Sequence, residues 1–156
     1  MKAATINTIK EELEQLPPAR LITICIRLAR FKKENKELLT YLLFESNDVT
    51  GYIENVKKQV DVFFAEMNTS NLYLCKKSIR KIGRVTNKYI QYSGSKIVEA
   101  ELLLHFVKKI RDSGIPIQKS TALSNLFNNQ LKKIKSSILV LHEDLQYDYL
   151  KQLDAL

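Results

Sequence analysis

A chain of 156 residues with 45% hydrophobic and 27% charged side chains can bury a real core and has the balance of a soluble globular protein. Its longest uncharged stretches fall short of the ~18–20 apolar residues of a membrane span, and Met1-Lys2-Ala3-Ala4-Thr5 lacks the apolar run of a secretory signal, so a single cytoplasmic domain over 1–156 is expected. The formal charge of +8 is local: residues 67–98 hold seven cations and no Asp or Glu, and the rest of the chain sets 18 basic residues against 17 acidic ones.

Four Gly and three Pro punctuate the chain, which predicts long regular elements. From Thr5 to Leu16, Ile6, Ile9, Leu13 and Leu16 step by 3, 4 and 3, and Pro17-Pro18 ends this first helix. The second helix starts at Pro18 and reaches Phe31 or Lys33. Its apolar residues, from Leu21 to Phe31, cover more than half the circumference and predict contact with more than one neighbouring helix. Lys32 to Lys36 reads as a polar break before a short helix through Leu38 and Phe44. This hairpin has the broad apolar faces of stacked helix pairs, but its pattern does not recur later in the chain.

Ser46-Asn47-Asp48 reads as a loop carrying an N-cap. The helix after it is marked by Ile53, Val56, Val60 and Met67. A basic helix is expected over 71–92 with Gly94 as its C-cap, although Gly83 in its interior costs about 1 kcal/mol against Ala. The next helix, 95–113, contains Leu102-Leu103-Leu104-His105-Phe106-Val107 and ends in cations and Gly114. Ile115-Pro116-Ile117 is a loop that can tuck its apolar side chains inward. The final helix is expected to be the longest, from Ser120 to at least Tyr149. Its heptad-like seam runs through Phe127, Leu131, Ile134, Ile138, Leu141 and Leu145. That seam suits docking within the molecule, with a homodimer through the C-terminal helix as the alternative. No alternating strand or hairpin-turn signature competes. The expected fold is therefore all-α, with six or seven helices in antiparallel hairpins and a long C-terminal helix. A helical bundle is preferred over an irregular helical stack.

The basic helix carries the candidate site. At about 100° per residue, Lys76, Lys77, Arg80, Lys81, Arg84 and Lys88 share an arc of about 140°. Leu72, Cys75, Ile79, Ile82, Thr86 and Tyr89 form a packing seam on the other side. Like charges four residues apart repel, by a few tenths of a kcal/mol per pair, and no acid within the helix relieves them. Relief must come from solvent ions, from the acidic tail (Glu143, Asp144, Asp148 and Asp154), from an acidic protein surface, or from a polyanion. Tyr73, Tyr89 and Tyr92 lie close enough in sequence to be candidates for base stacking. Nineteen of the 25 cations are Lys, which suits backbone attraction better than base readout. The narrow apolar arc argues for core packing over membrane-surface binding.

Other chemistry has little support. Glu101 and His105 share a helix face, and His142 adjoins Glu143 and Asp144, but these spacings match no metal signature. Cys25 and Cys75 are isolated and are read as buried thiols. Ser93-Gly94-Ser95-Lys96 lacks the spacing of a phosphate loop. No catalytic, metal or cofactor-binding residue is assigned. The expected function is a non-enzymatic interaction or regulatory protein acting through exposed helix faces, with an unknown protein or polyanion as partner. The alternative is a nucleic-acid-binding protein using the basic face.

Overall fold

The computed structural model describes residues 1–156, and the protein is all-α, with eight helices and no strand. No helix is long and apolar enough to cross a membrane. Contacts group the residues into two compact units, 1–44 and 45–156.

The first unit holds α1 (Ile6–Glu14), α2 (Pro18–Phe31) and α3 (Lys33–Thr40). Thr5 caps α1 by accepting a hydrogen bond from the Thr8 amide at 3.2 Å, and Pro18 opens α2 where a missing N–H costs nothing. The polar break expected over Lys32–Lys36 shrinks to one extended residue, Lys32. The physical reason is that Asn35 Nδ2 donates to the Leu28 carbonyl at 2.9 Å, satisfying an orphan acceptor at the end of α2, so α3 can start at once. Beyond Thr40 the helix widens into a π-type turn, Tyr41–Glu45, that crosses into the second unit. Within the first unit α2 packs against α3, but α1, α2 and α3 bury no residue fully. Within the first unit α3 is the helix packed on α2, and Cys25 is exposed, contrary to its reading as a buried thiol.

The second unit is built around one helix. It contains α4 (Val49–Ala65), α5 (Leu72–Ser93), α6 (Lys96–Asp112), α7 (Thr121–Ile138) and α8 (Glu143–Asp154). α6 is apolar on almost every side, so it can be stable only when surrounded, and α4, α5, α7 and α8 all pack on it. Leu103, Phe106 and Val107 are wholly buried there, with Ile79, Ile134 and Ile138 from the neighbouring helices. Asp48 and Asn71 cap α4 and α5, accepting from Gly51 N at 2.8 Å and Leu74 N at 2.9 Å. Gly94 stops α5 in the left-handed region, at φ 62°.

The long C-terminal helix is in fact two. The chain leaves α7 at Leu139, and α8 restarts at Glu143, with His142 extended at φ −62° and ψ 146°. Two local effects hold the break. Gln146 Nε2 donates to the carbonyls of Leu141 at 2.7 Å and Leu139 at 3.3 Å, and Glu143 and Asp144 place negative charge in the first turn of α8. The seam residues Ile134 and Ile138 are wholly buried within the molecule.

Candidate functional site

α5 is continuous despite Gly83, and the neighbouring helix explains why. A Cβ at Gly83 would stand 3.1 Å from the Phe106 ring, so the missing side chain lets α6 approach closely. With one side of α5 held in this way, Lys77, Arg80, Lys81 and Arg84 reach solvent, while Lys76 and Lys88 are half-buried. Lys77, Arg80, Lys81 and Arg84 make no ion pair with any carboxylate. The acidic tail does not answer them: α8 packs on α6 and α7, and of its acids Asp144 pairs with His142 at 3.4 Å.

The six cations do not act as one face. Lys76, Lys77, Arg80 and Arg84 line a groove of about 560 Å³ whose floor includes Gly83 and Phe106 and whose far wall is α7. A second hollow of about 670 Å³ adjoins it through Arg80, Leu126 and Gln130 and extends to Asn125, Asn129 and Lys133. Lys81 points away from this groove, into a smaller hollow of about 130 Å³ with Phe63, Glu66 and Met67. Lys88 lies over the rings of Tyr89, at 5.3 Å, and Tyr92, at 5.9 Å.

The tyrosines separate as well. Tyr73 is 67% exposed at the groove, with Lys76 5.6 Å from its ring centre. Tyr89 and Tyr92 are half-buried and meet edge to face at 6.0 Å, so only Tyr73 offers the groove an open ring face.

The far wall is what sequence reasoning missed. Residues 113–142 form a second acid-free run, thirty residues with Lys119, Lys132, Lys133 and Lys135 as its cations. Asn125, Asn129, Gln130 and Lys133 recur at helical spacing and face the groove together. Gln130 adds a directional feature: its side-chain oxygen is buried and accepts no hydrogen bond from the protein.

A second polar cluster sits elsewhere on α6. Glu101 accepts from Tyr149 OH at 2.8 Å and Lys57 Nζ at 2.7 Å, so both its oxygens are engaged. Burial opposes the Lys57 charge, but Glu101 and Glu54 outweigh it and raise its pKa. Burial and then the Glu101 carboxylate push the Tyr149 phenol well up, which keeps it a hydrogen-bond donor. One helical turn on, His105 Nε2 and Lys109 Nζ approach Asp61 Oδ1 at 2.8 and 3.1 Å. A cavity of about 300 Å³ lies beside these groups, lined by Lys57, Glu101, His105 and Arg111 among others. Arg111 Nη1 donates to the Ala155 carbonyl at 2.7 Å. These bonds tie α4 and α8 to α6 and leave each carboxylate already partnered. His142 faces only Asp144, and no three His, Cys, Asp or Glu side chains converge as a metal site.

The Asp61 contacts carry a pH dependence. Burial raises its pKa, but the hydrogen bonds from Lys109 and His105 outweigh that and hold it below the usual carboxylate value. A depressed folded pKa stabilises the protein above the unfolded value of about 3.9, and the contribution disappears as pH falls through the lower folded value. Asp61 is 44% exposed, which limits the effect. Asp61→Asn is expected to cost about 0.5–1 kcal/mol at neutral pH and to flatten the loss of stability below about pH 4. Urea unfolding across a pH series measures both, and an unchanged acid limb would count against this contact.

No protein-family model, curated protein or solved structure matches the chain.

Proposed function

We propose that this protein acts by binding through exposed helix faces, and that the groove between α5 and α7 takes the backbone of a nucleic acid. One observation carries the reading: two acid-free helices face each other across a groove whose exposed cations have no carboxylate partner. Phosphates would relieve the repulsion along α5 and release condensed counterions. Tyr73 supplies a ring on which a base can stack, and the amides of Asn125 and Asn129 can donate to sugar or phosphate oxygens.

Titration of labelled duplex and single-stranded DNA and RNA at several salt concentrations tests this. With Lys76, Lys77, Arg80, Arg84 and Lys133 engaged, the log–log salt slope is expected near −4 to −5 for a duplex. That corresponds to a loss of roughly 10²- to 10³-fold in affinity between 50 and 200 mM salt. Absence of salt-sensitive binding at low salt would leave an acidic protein as the partner of this face.

A further inference from the structure

Much of the first unit's apolar surface is exposed. Of its 44 residues only Tyr41 is buried, while Ile22, Phe31, Leu42, Leu43 and Phe44 are each at least half exposed. Large apolar side chains exposed in such number on a small unit are the kind of surface that an interface covers. Isolated helices as short as α1, nine residues, also gain little stability from propensity alone. The question is what covers this surface.

Charge points to the occupant. α1 carries an apolar stripe, Ile6, Ile9 and Leu13, beside Glu11, Glu12 and Glu14. Glu14 is shared with Lys10 at 3.6 Å, whereas Glu11 and Glu12 have no cation partner. α2 has the opposite character, with Arg20, Arg27 and Arg30 and no acid. Where α2 meets the start of α3, Ile26 and Ala29 line a groove of about 520 Å³ rimmed by Arg30, Lys32, Lys33 and Lys36. An apolar floor with a cationic rim fits an apolar helix with an acidic flank, and α1 is such a helix.

Its own α1 does not fill the groove. No α1 residue lines it, and α1 joins α2 at the opposite, N-terminal end through the extended Pro17, at φ −67° and ψ 151°. The groove begins at Ile26, about 12 Å further along the helix from Pro18. A second chain has no such restriction, and a two-fold arrangement fills both grooves with the same contact made twice. We propose that the first unit is a self-association module, in which α1 of each chain lies in the α2/α3 groove of a second copy.

Sedimentation velocity on the full chain tests this with two variants, Glu11→Lys with Glu12→Lys, and Arg30→Glu with Lys36→Glu. Wild type is expected to be a dimer at tens of micromolar, dissociating on dilution. Each variant alone sets like charges against each other and is expected to weaken dimerisation at least tenfold. An equimolar mixture restores opposite charges at both grooves and is expected to recover the dimer. Far-UV circular dichroism matching wild type shows that the variants keep their helices. A wild type that stays monomeric to about 100 µM, which includes docking of α1 within one chain or onto a different protein, overturns the proposal. So does a mixture that stays monomeric, or variants that dimerise as wild type does.

Discussion

Phe106→Ala is expected to cost about 3–5 kcal/mol, the largest effect of any single truncation considered for this protein. The ring is wholly buried, stands 5.9 Å from Phe64, and closes the space that Gly83 leaves open in α5. Removing it opens a cavity where α4, α5 and α6 meet, and none of the neighbouring side chains can fill it without leaving its own contacts. For a chain of this length the loss corresponds to a melting temperature lower by about 6–20 °C. Urea or thermal unfolding measures it directly. A cost below about 1 kcal/mol would mean that α5 and α6 are not packed as described. The same ring floors the basic groove, so stability and the site share a residue.

Charge reversal at the groove is expected to have the largest effect on binding. Lys77, Arg80 and Arg84 are exposed, lack carboxylate partners and line one wall. Changing all three to Glu removes three phosphate contacts and adds three repulsions. The salt slope is then expected to shrink by about 3 units and low-salt affinity to fall at least ~100-fold. The control is Lys58→Glu, Lys96→Glu and Lys151→Glu, which changes net charge equally at exposed positions outside the groove. If net charge alone governed binding, the two triples would lose affinity alike. Lys81→Glu sharpens the comparison: Lys81 belongs to the same helical arc but opens into a different hollow, so its reversal is expected to matter less than that of Arg80.

The elements were legible wherever the signal was local. The 3–4 spacing of Leu72, Cys75, Ile79, Ile82 and Thr86 fixes both the existence of α5 and its buried side, and Asn71 and Gly94 mark its ends. Gly83 looked like a weakness only because its compensation, Phe106, lies 23 positions away and cannot be inferred from helix propensity. The break between α7 and α8 left no Gly or Pro to read. It rests on the Gln146 side chain reaching back to two carbonyls, which takes a three-dimensional arrangement to recognise.

The site was half legible, for a similar reason. A helical wheel orders the cations around α5 but says nothing of what stands opposite each of them. It therefore grouped Lys81 and Lys88 with Arg80, although they face different surroundings. The acid-free run over 113–142 was the available clue to the far wall. It carries fewer cations than 67–98, and its amides, Asn125, Asn129 and Gln130, become part of a site only through the position of α7 beside α5. The broad apolar face of α2 predicts contact with more than one helix, yet Ile22, Ile26, Leu28 and Phe31 on it are exposed.

Lysine footprinting tests the central claim most directly, because it reports where a bound strand lies. The protein is acetylated with and without a saturating oligonucleotide at low salt, and each lysine is read by mass spectrometry. Strong protection of Lys76, Lys77 and Lys133 is expected, with Lys58, Lys96 and Lys151 modified as in the free protein. Protection of the second set in place of the first, or no protection at saturation, would contradict a binding groove between α5 and α7.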